Sequence, residues 1–111
     1  MKYLKKLIHV QKNNSDIVDS IWSKHYNNLT LIEKQKLHDF LLIKQEGCCA
    51  ICGTREIDLN QRLAVDHNHT TSQTRGLLCH KCNMFIGLAN DNVWILRSAI
   101  EYLTKINEYP A

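Results

Sequence analysis

The sequence lacks the segments that would place a chain in a membrane or mark it for secretion. No apolar run is long enough to span a bilayer. Residues 1–9 contain neither a sustained apolar core nor a small-residue cleavage site. Repeats and low-complexity segments are also missing, and the chain has a single proline. These absences argue against a membrane protein, a secreted protein and a repeat protein, so one globular domain in the cytoplasm is the expectation.

Strong charge of either sign is also absent. The net charge is +3, from 14 lysines and arginines against 11 acidic residues. Residues 1–46 hold eight lysines and five acids, so this region carries the whole excess. Lysines alone more often form a solvated surface, but contact with nucleic-acid phosphates also fits them. The charge by itself therefore identifies no partner.

Cysteine is the residue whose arrangement is informative. Four of the five cysteines form two pairs, each with two residues between its members: Cys49 with Cys52, and Cys79 with Cys82. Thiols stay reduced in the cytoplasm, where paired cysteines favour a metal over disulfides. Zinc prefers four ligands in a tetrahedron, and two such turns supply them while tying distant segments together. We therefore predict a structural Zn²⁺ at these four residues.

The alternatives to zinc at these cysteines are weaker. A thioredoxin-like redox motif requires a βαβ context that the sequence lacks. Buried cysteines without a metal would have to reach this spacing by coincidence. The fifth cysteine, Cys48, is adjacent to Cys49 and one residue too far from Cys52 for the usual turn, so we expect a small side chain that is not a ligand.

Periodic apolar residues predict an α+β fold with helices on both sides of a β-hairpin. The hairpin covers residues 63–78 and has a polar turn between its strands. The expected helices lie at residues 15–26, 30–46, 83–88 and 93–106. The second has a capping box of Thr30 and Glu33 at its start and Gly47 at its end. Residues 90–92 can cap the last helix.

A group of polar residues lies between and beside the cysteine pairs. The end of the first strand supplies Asp66, His67 and His69, and Asn83 directly follows Cys82. In a regular strand the two imidazoles share one face and the carboxylate lies on the other. A bend at the strand end would therefore be needed for all three to approach one phosphate. A metal bound at the neighbouring cysteine would fix where the amide of Asn83 points.

These residue types suit hydrolysis of a phosphodiester bond. A carboxylate and an amide oxygen are ligands for Mg²⁺ or Mn²⁺, and a neutral histidine can accept a proton from water near pH 7. A divalent cation beside the phosphate stabilises charge on the leaving oxygen. Singly, each residue has an ordinary role as a surface histidine, a turn former or a helix cap. Their joint position, between the two cysteine pairs and directly after the second, favours a nucleic-acid hydrolase.

The motifs together resemble those of the phage recombination endonuclease VII family, which belongs to the HNH or ββα-metal nucleases. The resemblance extends over residues 44–106. The motifs are, in chain order, Cys49-Ala50-Ile51-Cys52-Gly53, Val65-Asp66-His67-Asn68-His69, Arg75-Gly76-Leu77-Leu78-Cys79-His80-Lys81-Cys82-Asn83, and Gly87. The fold it implies is a single domain with a small zinc-stapled ββα-metal core at 47–90. A helical N-terminal region at 1–46 and a C-terminal helix and tail at 91–111 flank this core.

The resemblance also implies a role for each site residue. The four paired cysteines would bind the structural zinc, and Asp66 and Asn83 would bind a catalytic Mg²⁺ or Mn²⁺. His67 would be the general base, and His69 would help to hold the scissile phosphate. For Arg75, a phosphate contact and a salt bridge both fit. The implied partner is DNA, cut to leave 5′-phosphate and 3′-hydroxyl ends. The expected setting is the cytoplasm of a bacterial host, with the enzyme encoded by a phage.

Two non-enzymatic functions are kept as alternatives. One is a zinc module that binds nucleic acid without cutting it, and the other is a structural or inhibitory protein-binding domain. The first would need the thiols and a basic surface but not His67 or Asn83, and the second would reuse the same scaffold. The sequence leaves open monomer or homodimer, nicking or double-strand cutting, and the preferred DNA sequence or shape.

Overall fold

A computed structural model of the chain describes residues 21–22 and 24–105. In this part of the chain, three α-helices flank one antiparallel β-hairpin. The elements, in chain order, are α1 (Leu31–Lys44), β1 (Ala64–His67), β2 (Thr74–Leu78), α2 (His80–Leu88) and α3 (Val93–Thr104). Two short 3₁₀ turns lie at Tyr26–Asn28 and Glu56–Asp58. The α+β class is thus confirmed, and none of the described helices has the length and apolar character to cross a bilayer.

Helix α1 begins at the capping box that the sequence predicted. The Glu33 N–H donates to Oγ1 of Thr30 at 3.1 Å, and the Thr30 N–H donates to Oε1 of Glu33 at 3.0 Å. The helix ends at Lys44, two residues before the expected end. The chain then leaves through left-handed conformations at Glu46 and Gly47, with φ of 54° and 76°.

The hydrophobic core lies between α1, the hairpin and α2. Its leucines on these elements and on the approach to β1 are at most 5 % exposed, namely Leu37, Leu41, Leu42, Leu63, Leu77 and Leu78. Ile21 and Leu29 join them from the segment before α1, and three of the paired cysteines, Cys49, Cys79 and Cys82, complete the cluster. Burial of these apolar side chains is the main favourable contribution to folding, and it fixes α1 against the hairpin.

The β-hairpin carries an irregularity at the end of its first strand, where a bend would be needed for the three side chains to approach one phosphate. Asp66 pairs with Gly76 and His67 pairs with Thr74, so Arg75 is an extra residue on β2. An extra residue of this kind bends the strand and changes the direction of neighbouring side chains. The hairpin therefore departs from regular alternation at the residues that carry the candidate chemistry.

The two later helices differ in how they are packed. Helix α2 has Cys79 as its N-cap, begins at His80, three residues before the expected start, and packs against both strands. Helix α3 is capped by Asn92, whose Oδ1 accepts from the N–H groups of Trp94 and Ile95 at 2.9 and 3.2 Å. Its sequence is amphipathic, but within the described part of the chain it buries none of its residues.

Two expectations fall partly outside the described residues. Of the helix expected at 15–26, Ile21 and Trp22 are helical, whereas Tyr26 starts a 3₁₀ turn, so this helix does not continue to its expected end. Residues 15–20 lie outside the described residues. Ile106, the last position of the apolar stripe expected on the final helix, lies outside them as well.

Candidate metal centre and active site

The four paired cysteines converge at one point between the hairpin and α2. Their Sγ atoms all lie within 4.8 Å of one another, and those of Cys52 and Cys79 are 3.7 Å apart. In a tetrahedral site with Zn–S distances near 2.3 Å, the sulfurs are about 3.8 Å apart. The predicted gathering of the four thiols is thus confirmed. Their donor chemistry and spacing could hold a zinc ion.

Local backbone structure explains why each pair presents two sulfurs to the same side. In the first pair, the Gly53 N–H donates to the Cys49 carbonyl at 3.0 Å, and the Cys49 N–H donates to the Thr54 carbonyl at 2.9 Å. Gly53 has φ of 77°, a conformation that glycine adopts at little cost. In the second pair, Cys79 and Cys82 are three residues apart at the start of α2, so they share one helix face.

The thiols differ in acidity because their surroundings differ. Burial raises the pKa of Cys82 to about 12. Hydrogen bonding with the side chain and backbone of Thr54 lowers the pKa of Cys52 to about 6. At Cys49, burial acts to raise the pKa, but backbone hydrogen bonds, the strongest of them at Cys79, outweigh it and lower the pKa. A divalent cation would stabilise all four groups as thiolates, the form in which cysteine binds zinc.

Gln45, which the sequence analysis did not single out, joins the end of α1 to the hairpin and to Cys48, the residue before the first cysteine pair. Its Oε1 accepts from the Leu77 N–H at 2.8 Å, and its Nε2 donates to the carbonyls of Leu77 and Cys48 at 3.0 and 2.8 Å. The side chain thus pairs with β2 as a neighbouring strand would. Gly76 leaves room for it, because a Cβ at this glycine would lie 2.9 Å from Oε1 of Gln45. The Ala50 N–H also donates to the Leu77 carbonyl, at 3.1 Å.

The two histidines that follow Asp66 lie next to each other, although only His67 belongs to β1 and His69 lies in the turn after it. The ring centroids of His67 and His69 are 5.0 Å apart. Tyr26 stacks on the ring of His67, with centroids 5.2 Å apart and an angle of 18° between the planes. The Tyr26 N–H donates to the Ser72 carbonyl at 3.1 Å, and Nζ of Lys34 lies 4.8 Å from the tyrosine ring centroid. This contact was not predictable from the sequence, where Tyr26 fits the apolar stripe of a helix.

Asp66 is engaged by an arginine. Its side chain is 7 % exposed, and both of its oxygens accept from Arg75, with Nε–Oδ2 at 2.7 Å and Nη2–Oδ1 at 3.1 Å. The same Nη2 lies 3.2 Å from Oδ2 of Asp91. The hydrogen bond to Asp66 raises the already high pKa of Arg75. Of the two roles that fitted Arg75 from sequence, the structure contains the salt bridge. Asp91, which had been considered only as part of a helix cap, is its second partner.

A cavity of about 460 Å³ lies between the hairpin turn and the far end of α2. Its lining residues are Asn68, His69, Thr70, Arg75, Gly87, Asn90 and Asp91. Neither Asp66 nor Asn83 lines it. Asn83 is exposed and lies four residues before Gly87 on α2, and residues at this spacing share one helix face. His67 and His69 are thus neighbours, and His69 and Arg75 line the same cavity, whereas Asn83 lies on α2 one turn before the lining residue Gly87.

The carboxylate of Asp66 is by itself a hard oxygen ligand of the type that binds Mg²⁺ or Mn²⁺. A carboxylate offers about four lone-pair sites, and the two hydrogen bonds from Arg75 use two of them. Mg²⁺ is commonly bound by one or two carboxylates with several waters, and an amide oxygen is a compatible ligand. Among the described residues, the four cysteines form the one cluster of three or more histidine, cysteine or acidic ligands. The residues present thus fit zinc at the thiols and, by donor type, Mg²⁺ or Mn²⁺ at Asp66.

Comparison with known proteins gives a consistent result. The family model described as recombination endonuclease VII matches residues 21–105. The Gene 59 protein of Mycobacterium phage D29 is 48% identical over 62 residues, which cover 55% of this chain and 37% of that protein. The Gene 59 protein of Mycobacterium phage L5 is 47% identical over 60 residues, which cover 53% of this chain and 36% of that protein. The chain thus matches little more than a third of the length of these relatives, and no solved structure matches it significantly. Because the family model covers more than half of the chain, this protein belongs to the recombination endonuclease VII family.

Proposed function

We propose that this protein is a metal-dependent DNA endonuclease that hydrolyses phosphodiester bonds. The observation that carries the proposal is the pair of imidazoles, His67 and His69, whose centroids are 5.0 Å apart at the bulged end of the hairpin. Membership of an endonuclease family supports this chemistry. The gathered thiols support zinc as the ion that ties the loop after α1, with Cys49 and Cys52, to the start of α2, with Cys79 and Cys82. We propose residues 47–90 as the catalytic core, with 1–46 and 91–111 as its flanking parts.

In this mechanism, each site residue has one task. His67 accepts a proton from the attacking water, which a neutral imidazole does well near pH 7. His69 donates a hydrogen bond that holds the scissile phosphate. Asp66 and Asn83 would hold Mg²⁺ or Mn²⁺, which when bound supplies stabilisation of negative charge on the leaving 3′-oxygen. Tyr26, stacked on His67, keeps the imidazole in one orientation.

The source of the relatives supports the proposed setting. Both matched proteins are proteins of Mycobacterium phages. A phage enzyme that cuts DNA would act in the cytoplasm of the infected bacterium, where the thiols stay reduced and available to zinc. We propose that setting for this protein.

Nicking of supercoiled plasmid DNA tests the proposed activity. The zinc-loaded protein should convert the plasmid to open-circle or linear form with Mg²⁺ or Mn²⁺, and chelation of the added cation should stop it. His67→Ala should abolish cleavage while its zinc content and unfolding midpoint stay unchanged. His80→Ala, which removes an exposed imidazole from α2, is the matched control and should cut normally. Undiminished cutting by the His67 variant would exclude this residue as the base.

A non-catalytic nucleic-acid-binding module is the second candidate. One observation favours it: the carboxylate of Asp66 is buried and already paired with Arg75. Such a module would bind DNA with an affinity that falls steeply with salt. It would not nick DNA with any divalent cation, and His67→Ala would leave its DNA affinity unchanged. The plasmid assay, together with a DNA-binding titration on the same variants, separates the two functions.

A further inference from the structure

The contact between Arg75, Asp66 and Asp91 lies at the proposed cation site and has no role in the mechanism above. We propose that Arg75 and Asp91 form a latch at Asp66. Arg75 pairs with the carboxylate of Asp66 until a divalent cation replaces it, and the displaced arginine then pairs with Asp91. This inference rests on the proposed function, because it concerns the same cation site. Arg75 and Asp91 are positioning residues in it.

Asp66 is a buried carboxylate that needs a partner. Its side chain is 7 % exposed, and a buried carboxylate without a partner is strongly destabilising. The guanidinium of Arg75 supplies that partner through two parallel hydrogen bonds, at 2.7 and 3.1 Å. Arg75 itself is 35 % exposed, so it lies at the edge of the site and has room to move. In the absence of a cation, the latch therefore keeps the folded hairpin free of an unpaired buried charge.

A divalent cation and the guanidinium of Arg75 would compete for the carboxylate of Asp66. A divalent cation bound to either oxygen of Asp66 would lie close to the guanidinium, and like charges in a partly buried site repel strongly. The cation can also replace Arg75 as the partner that neutralises the carboxylate. Binding of the cation and the full two-bond contact with Arg75 therefore oppose each other.

Asp91 lies where Arg75 can leave Asp66 and still be paired with a carboxylate. Its Oδ2 contacts the same Nη2 that bonds Asp66. Asn90 and Asp91 both have left-handed backbones, with φ of 54° and 55°, which non-glycine residues adopt at a cost. Hydrogen bonds from Asn90 N–H to the Gly87 carbonyl and from Asp91 N–H to the Ile86 carbonyl, each 2.9 Å, hold this turn. The turn between α2 and α3 thus directs Asp91 back toward the hairpin.

The bulge in the hairpin also supports the latch. Arg75 is the extra residue on β2, so the position of its side chain is not dictated by a cross-strand neighbour. It also lines the same cavity as His69. A guanidinium that moves from Asp66 to Asp91 stays at this cavity, where it can face an anionic substrate. Cation binding would thereby release an arginine for the phosphate at the time when it is needed.

Direct measurement of Mn²⁺ binding tests the latch without relying on cleavage. The zinc-loaded full chain is titrated with Mn²⁺ in the absence of DNA, and free Mn²⁺ is followed by its EPR signal. Arg75→Gln should tighten Mn²⁺ binding about tenfold, the change expected for loss of one competing charge-assisted pair. Arg97→Gln removes an equal charge from exposed α3 and should leave the affinity within about twofold. Unchanged or weaker Mn²⁺ binding by Arg75→Gln would overturn the proposal.

The role of Asp91 is tested by its dependence on Arg75. Asp91→Asn should weaken Mn²⁺ binding several-fold, because Arg75 then has only Asp66 as a partner and competes more strongly. In the Arg75→Gln background the same change should have less than about a twofold effect, because partner exchange no longer occurs. Asp58→Asn, at an exposed carboxylate paired with Arg55, is the charge control. An equal effect of Asp91→Asn in both backgrounds would contradict partner exchange.

Two further variants keep the outcome interpretable. If Arg75→Gln fails to retain zinc or to unfold cooperatively, Arg75→Lys is used instead. It replaces the two-bond guanidinium contact with a single ammonium group. It should also tighten Mn²⁺ binding, by a smaller factor, and weaker binding would count against the latch. Asp66→Asn should abolish the Mn²⁺ site. If it does not, the proposed cation site itself is wrong, whereas loss of binding in Asp66→Asn without tightening in Arg75→Gln refutes the latch alone.

Discussion

Replacement of Gln45 by alanine tests whether one amide side chain holds the hairpin to the metal centre. The change removes three hydrogen bonds, two with Leu77 and one with Cys48. The Leu77 carbonyl keeps its bond from Ala50, and Cys48 is only half-buried, so water can satisfy its carbonyl. The Leu77 N–H has no such substitute, because this residue is 0 % exposed. An unsatisfied buried donor costs ~1–3 kcal/mol, and the lost packing adds to it, so we expect a loss of about 2–4 kcal/mol in the free energy of unfolding.

Urea denaturation at a fixed free-zinc concentration measures this loss, since zinc bound to the folded state also contributes to stability. The slope of the transition should stay unchanged. Gln61→Ala removes an exposed glutamine and should alter stability by less than ~0.5 kcal/mol. A loss below ~1 kcal/mol for Gln45→Ala would refute the reasoning that the Leu77 N–H depends on this amide.

Gly76 provides an internal check on the same contact. Gly76→Ala should destabilise the wild-type protein, because the new Cβ would lie 2.9 Å from Oε1 of Gln45. In the Gln45→Ala background the obstacle is gone, and the same change should be nearly neutral. A double-mutant cycle with the four proteins gives the coupling. Equal effects of Gly76→Ala in both backgrounds would show that the glycine is needed for another reason.

Two further predictions concern the histidine pair and the metal. Tyr26→Leu should lower kcat about fivefold with KM unchanged, because a ring stack worth ~0.5–1.5 kcal/mol no longer orients His67, and Tyr26→Phe should keep the rate. Steady-state kinetics on plasmid DNA checks this, and equal losses in both variants would point to the hydroxyl instead of the stack. Cys82→Ser should abolish stoichiometric zinc and cooperative unfolding, whereas Cys48→Ser, outside the thiol cluster, should keep one zinc per chain. Metal analysis and circular dichroism provide the test, and full zinc retention by Cys82→Ser would contradict a four-thiolate site.

Features set by residues close in sequence were predictable. The capping box of Thr30 and Glu33 depends on groups three residues apart, and it is present as expected. The hairpin also follows from alternation and a polar turn, and its strands lie within the expected range. The start of α2 was placed too late, because the polar residues at its beginning gave no apolar period, whereas Cys79 serves as its N-cap.

The candidate site was predictable in its chemistry but not in its contacts. The four thiols have a spacing that only a metal explains well, and they meet as expected. His67 and His69 lie together, but they are not two residues of one strand, since β1 ends at His67 and His69 lies in the turn that follows. The shared cation of Asp66 and Asn83 stays a prediction. The partners of these groups could not be foreseen, since each is distant in sequence or depends on the bulge at Arg75.

The sequence by itself determined which side chains are available and how neighbouring ones are spaced. It therefore determined the ligand type of the metal centre, the helix caps and the close spacing of the two imidazoles along the chain. Only the tertiary structure decided that Gln45 pairs with Leu77, that Tyr26 stacks on His67, and that Asp91 reaches Arg75. The physical reason is the distance along the chain over which each kind of interaction acts. Local hydrogen bonds and strand alternation act over a few residues, whereas these contacts join segments that only core packing and the gathered thiols bring together.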